Sequence, residues 1–176
     1  LRPNFSTFDS LNCLRYRDAM RATETLRTEF SGFVLKPNDD LLRICSDALD
    51  AGLFEELEAW LSRLVSGQQK TDFRAWQMLG LARRELQDSG GAFHAFEQAR
   101  KLAPQDARIA HSLARTALEA GFRSAHLFKA ARALAPNDSQ VLLGNIAALL
   151  ADEGADAALG ELARLLQAHP GSHDGH

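Results

Sequence analysis

Segments of closely similar pattern end in Pro104, Pro136 and Pro170, and this recurrence constrains the fold more than any other feature. They read Phe96-x-x-Ala99-x-x-x-Ala103-Pro104, Phe128-x-x-Ala131-x-x-x-Ala135-Pro136 and Leu162-x-x-Leu165-x-x-x-His169-Pro170, with steps of 32 and then 34 residues between prolines. A period of that size belongs to a helical hairpin, a unit that buries its apolar face only by stacking on a neighbour. The chain is therefore expected to form a curved array with a groove. Binding is the task such a surface suggests.

Composition agrees. With 176 residues, 45% hydrophobic and 24% charged, the chain is an ordered one, long enough to bury a continuous core. Five prolines and one tyrosine, against many alanines and leucines, favour helix over strand. A net charge of −3 excludes a strong global attraction to nucleic acid. Cys13 and Cys45 both fall in helix-periodic stretches and read as small buried apolar residues in a reducing compartment. Leu1-Arg2-Pro3-Asn4-Phe5 lacks the apolar run of a signal peptide. No stretch approaches the roughly 18 apolar residues of a membrane helix, and the longest candidate is broken by Gly144, Asn145 and Asp152. The expected setting is cytoplasmic, with no membrane partner.

Periodicity and punctuation predict helices near 10–30, 38–51, 54–66, 72–87, 90–103, 106–120, 122–135, 138–152 and 155–168. Ser10 caps the first, whose face carries Leu11, Leu14, Ala22 and Leu26, and Ser31-Gly32 stops it. Residues 33–37 form a connector, after which Asn38 or Asp39 caps a helix with Leu41, Ile44, Cys45 and Ala48 on one face. Gly52 ends that helix. Its partner buries Leu57, Trp60, Leu61 and Leu64 and closes at Ser66-Gly67.

From residue 72 the pattern sharpens. Trp76-x-x-Leu79-Gly80, then Ala92, Phe96, Ala99 and Pro104, is similar to the tetratricopeptide repeat (TPR) family in residue type and spacing. Arg83 stands where that family usually places tyrosine. The resemblance implies that Trp76 and Leu79 wedge against the partner helix, with Trp76 largely buried, while Gly80 and Ala92 let two backbones approach closely. Leu113, Ala114, Ala117, Gly121, Ser124, Phe128, Ala131 and Pro136 mark the next unit, short by about two residues near Gly121-Phe122. Leu142, Leu149, Gly154, Ala158, Leu162, Leu165 and Pro170 mark a third. The implied fold is all-α, a right-handed superhelical array of antiparallel helical hairpins. An N-terminal helix and connector (1–37) precede an array over 38–170, divided into a degenerate unit at 38–70 and units at 72–104, 106–136 and 137–170. A tail follows at 171–176. Pro170-Gly171-Ser172-His173-Asp174 resembles the opening of another unit, and arrays of this kind usually end in a polar cap. The expectation is a piece of a longer polypeptide, or a last hairpin that self-associates.

Catalytic chemistry is sparse. The sequence has no Gly-x-Gly-x-x-Gly, phosphate-cradling loop, His-Glu-x-x-His, Cys-x-x-Cys or Gly-x-Ser-x-Gly elbow. His169, His173 and His176 form a cluster, but Pro170 and Gly171 break any helix that would hold them as ligands, so they read as a polar tail. His94 and His126 take equivalent places on exposed helix faces. The chain is not expected to be an enzyme or to hold a cofactor or metal.

In TPR arrays the first helix of each hairpin lines the concave face, which implies a groove stripe here. It comprises Arg74, Gln77, Leu81 and Arg84, then Arg108, His111, Arg115 and Leu118. The flanking stripes are Gln140, Leu143, Ala147 and Leu150, and Asp39, Leu42, Ser46 and Leu49; each keeps the 3, 4, 3 spacing of one helical face. The groove centre thus carries four arginines and a histidine, and its ends are aliphatic. Arginine's planar fork suits carboxylates, so the expected partner is a protein or peptide segment with acidic groups at its centre and apolar anchors at its edges. TPR proteins that hold the C-terminal carboxylates of chaperones use lysine, asparagine and arginine; His111 and Arg115 resemble half of that arrangement, but Leu81 and Ser46 stand at the asparagine places. The competing reading makes the arginines a solvated face tied up in Arg84–Asp88 and Arg115–Glu119 pairs. Alternatives to a stand-alone interaction module are a docking or regulatory arm of a larger enzyme, and a self-associating array.

Overall fold

The structure, a computed structural model, describes residues 41–67 and 71–168 together with Glu24. Eight helices follow one another among these residues, with no strand: α1 (Leu41–Asp50), α2 (Phe54–Ser66), α3 (Phe73–Glu85), α4 (Ser89–Leu102), α5 (Ala107–Glu119), α6 (Ala125–Leu134), α7 (Ser139–Asp152) and α8 (Ala155–Ala168). Each meets its sequence expectation within a few residues. The predicted 10–30 helix, apart from helical Glu24, lies outside the described residues, as do the 33–37 connector, the Asn38/Asp39 cap, Cys13 and the His169, His173, His176 cluster.

Two recurring turns build the array. Within each hairpin the chain passes through one left-handed residue two positions beyond the first helix: Gly52, Gln87, Gly121 and Gly154. The closing bonds Leu53 N–H to Ala48 O (3.0 Å), Asp88 N–H to Arg83 O (2.9 Å) and Phe122 N–H to Ala117 O (2.8 Å) are those of the Schellman turn. Gln87, at φ 61°, is the non-glycine in this set. Gln87→Gly is expected to raise stability by about 1 kcal/mol by relieving the Cβ clash of that conformation, read as a higher urea midpoint. Between hairpins, Pro104 and Pro136 hold Ala103 (φ −132°, ψ 72°) and Ala135 (φ −137°, ψ 73°) out of the helical region. Aspartates then restart the chain. Asp72, Asp106 and Asp138 accept from the backbone N–H of Arg74 (2.9 Å), Arg108 (2.9 Å) and Gln140 (2.8 Å), satisfying donors that have no partner within the helix.

The missing residues near Gly121 have removed the first turn of α6. Its N-cap Ser124 makes no side-chain cap bond. Asp152, at the end of α7, reaches back instead and accepts from Ser124 N–H (2.6 Å) and Ala125 N–H (2.8 Å). Those two bonds hold the Asp152 carboxyl below the usual range.

The core differs from expectation at two points. Trp76 is half-buried, lying against the main apolar cluster with an edge toward His94 (6.1 Å between centroids), whereas Trp60 of α2 is 2% exposed at that cluster's centre. Gly80 makes room for a side chain rather than a backbone: a Cβ there would stand 2.9 Å from the Phe96 ring. A Cβ on Gly144 would likewise fall inside the Phe128 ring of the preceding hairpin. Cys45 is fully buried, and burial pushes its thiol up to about 12, so it behaves as an inert apolar group.

Arg83, at the usual TPR tyrosine position, ties three helices together. It donates to Glu58 Oε1 (2.9 Å through Nε), to Ser62 Oγ (3.1 Å) and to Gly91 O (3.4 Å). An aromatic contact is thus replaced by a charge-assisted clasp.

Candidate partner-binding groove

The stripe residues sit on α3 and α5, the first helices of their hairpins, and they fall into two groups. Arg84, His111 and Arg115 come within electrostatic reach of one another. Desolvation chiefly, and the Arg115 charge next, lower the Arg84 pKa. His111 is also lowered: desolvation is the largest cause, Asp138 pulls upward next, and the charges of Arg115 and then Arg84 add to the lowering. Its ring leans on the buried Phe128, 6.2 Å between centroids. Arg74 and Arg108, by contrast, fold back on their own capping aspartates, Asp72 at 2.9 Å and Asp106 at 3.3 Å. For both aspartates burial raises the pKa but the bonds from the arginine two residues on outweigh it, and the net shift is downward.

Carboxylates accompany the central arginines as well. Arg115 pairs with Glu119 (3.1 Å), as its i,i+4 spacing predicts. The expected Arg84–Asp88 pair does not form: Asp88 caps α4 through Gly91 N–H (2.9 Å), and Arg84 faces Glu85 at 3.7 Å. Leu81 and Leu118 are partly buried against the apolar clusters and support the floor, with Gln77 half-exposed beside them. The next stripe is open: Gln140, Leu143, Ala147 and Leu150 are all exposed, Leu143 by 63% and Leu150 by 56%. In the first unit Leu42 and Ser46 are exposed, Leu49 is partly buried, and Asp39 lies outside the described residues.

The accompanying acids were visible in the sequence. Asp72-x-Arg74 and Asp106-x-Arg108 repeat one motif in which the cap partners the arginine two residues on. No group of three or more metal-ligating side chains occurs among the described residues, and none of the described helices is long and apolar enough to cross a membrane.

His111 gives the groove a pH dependence. Because its native pKa lies below the ordinary 6.5, the unfolded chain binds protons more readily than the native one. Its contribution is complete above about pH 6.5 and is lost as pH falls through that value toward the native pKa. The melting temperature is expected to drop between pH 7.5 and 5.5, and His111→Gln to flatten that drop. The capping aspartates act in a separate window, below 3.8.

No family model matches the chain, and no curated protein sequence does. Solved structures do match. "Crystal structure of MamA" covers 97% of each chain at a TM-score of 0.67 and 16% identity. "Crystal structure of MamA protein" covers 74% of this chain and 72% of its own, at TM-score 0.66 and 18% identity. "MamA 41-end from Desulfovibrio magneticus RS-1" covers 73% of each at TM-score 0.64 and 21% identity. The likeness is one of fold, and with the geometry above it makes this chain an all-α, TPR-like solenoid of stacked hairpins.

Proposed function

We propose that the chain is a non-enzymatic protein-interaction module that takes an acidic peptide segment against α3, α5 and α7. The observation that carries this reading is the Arg84–His111–Arg115 cluster on α3 and α5, where, beyond desolvation, the Arg115 charge lowers both Arg84 and His111 and the Arg84 charge also lowers His111. Their intramolecular partners compete weakly, since exposed pairs such as Arg115–Glu119 contribute about 0–1 kcal/mol. Exposed Leu143 and Leu150 supply apolar anchorage beside the cluster.

A fluorescently labelled Leu-Asp-Glu-Asp-Leu peptide tests it. Binding is expected to weaken as salt rises, because exposed charges are screened over about 8–10 Å at ordinary ionic strength. It should strengthen from pH 7.5 to 6, as a bound carboxylate raises the His111 pKa. Arg84→Glu with Arg115→Glu is expected to reduce affinity at least tenfold, roughly 1.4 kcal/mol; Arg74→Glu with Arg108→Glu, which breaks cap pairs, should do less. Equal effects of the two double variants would leave only diffuse charge and sink the assignment.

A second reading, self-association through the last hairpin, has its own support. Phe96 and Phe128 are fully buried by the hairpins that follow them, whereas the corresponding Leu162 is 39% exposed, with Leu159 and Leu166 bare beside it. Sedimentation velocity of the wild-type chain decides it.

A further inference from the structure

A cleft of about 680 Å³ opens between α6 and α8, the second helices of the last two hairpins, over the side of α7 that carries Asn145 and Leu149. Leu143, Ala147 and Leu150 lie on the opposite side of α7, so the cleft is separate from the groove.

Several residues of the cleft have no explanation in the packing of the array. Asn145 is 6% exposed and stands seven residues after its capping Asp138, where the earlier hairpins place the core leucines Leu79 and Leu113 after Asp72 and Asp106. Its carboxamide lines the cleft and, unlike the hydroxyls of Thr116 and Ser124, is not sealed away from solvent. Gly160 lies mid-helix in α8, where glycine is disfavoured, yet no atom comes within 4 Å of where its Cβ would be. Gly80 and Gly144, by contrast, each admit a phenylalanine ring. Glu161, 7% exposed, replaces the apolar Ala95 and Leu127 of the other hairpins and binds both Arg132 and Arg164.

Charge is segregated along this cleft. Glu153 and Asp156 line one end, near His126; Arg132 and Arg164 share Glu161 at the other, and Lys129, one turn before Arg132 on α6, adds a further cation to the lining. From Asp156 to Arg164 is about 12 Å along the helix, the span of roughly four extended residues. Between the ends Asn145 offers an acceptor and donors matched to a peptide group, and Gly160 leaves bare backbone that a second main chain approaches closely.

We propose that this cleft is a binding site for an extended peptide segment carrying a basic side chain and, four positions away, an acidic one. The basic group lies against Glu153 and Asp156, the acidic group against Arg132 and Arg164, and Asn145 pairs with the main chain between them. The site departs from the repeat's own rules at Asn145 and Gly160, and such local violations mark function rather than folding.

The test is a titration of the isotope-labelled chain with blocked Lys-Ala-Ala-Ala-Asp, followed by amide chemical shifts. Shifts are expected at Asn145, Ala157 and Gly160, with Lys-Ala-Ala-Ala-Lys and Asp-Ala-Ala-Ala-Asp at least fivefold weaker. Asn145→Leu, which restores the repeat's leucine, should keep or raise the melting temperature and remove the shifts. Gly160→Ala should raise it by about 3 °C and weaken binding at least threefold. Absence of shifts at these amides, equal response to the singly charged peptides, or melting temperatures lowered by both variants would overturn the proposal. The cleft shares no residue with the α3–α5 groove, so either site can fail without the other.

Discussion

Replacing Trp60 by alanine is expected to destabilise the chain by about 3–5 kcal/mol, whereas Trp76→Ala should cost only about 1–2 kcal/mol. The difference follows from position. Trp60 packs among Leu41, Cys45, Leu57, Leu61 and Leu79 with 2% of its surface exposed, so truncation leaves a cavity that neighbouring helices cannot close. Trp76 rests against the same cluster with part of its ring beside exposed His94, and water reaches the space its loss would open. Urea unfolding followed by far-ultraviolet circular dichroism measures both. Equal costs would place the centre of the core at Trp76 and contradict the packing described.

Gly144→Leu should be comparably severe, about 3 kcal/mol, through overpacking. The first carbon of any side chain there would occupy the Phe128 ring, and that ring is fully buried between α6, α5 and α7 with no room to withdraw. Even Gly144→Ala should be a net loss, although alanine is the better helix former by about 1 kcal/mol. A melting temperature unchanged by the leucine variant would mean that Phe128 does not rest on Gly144.

Much of the fold was legible in the sequence because the relevant interactions are local. Caps at Asp72, Asp106 and Asp138, the turn glycines and the prolines act within a few residues of themselves, and the helix limits follow from them. What escaped depends on how one hairpin rotates on the next. Arg83 meets Glu58 across 25 residues, and Asp152 meets Ser124 across 28. Neither pairing has a sequence period. The same rotation decides that Trp60, not Trp76, fills the core. At the candidate groove, the 3, 4, 3 spacing along α3 and α5 gave a shared helical face, and grouping Arg84 with His111 and Arg115 required three dimensions. The cleft leaves one trace in the sequence: Asn145 stands in the column that Leu79 and Leu113 occupy in the preceding hairpins.

The borrowed cap of α6 has a consequence for how the array comes apart. The hairpin of α3 and α4 is self-contained in its cap and its phenylalanine seat: Asp88 caps its second helix from within and Phe96 nests on its own Gly80, while Arg83 and a shared apolar cluster join it to α2. The hairpin of α5 and α6 is not, because its cap, Asp152, and the seat of its Phe128, Gly144, both belong to α7. In a linear chain of units the coupling between neighbours sets the size of the block that melts together. Here the last two hairpins share a cap and a phenylalanine seat, so losing α7 also uncaps α6 and unseats Phe128. Opening of the last hairpin is therefore expected to loosen α6 as well, before the earlier hairpins are touched.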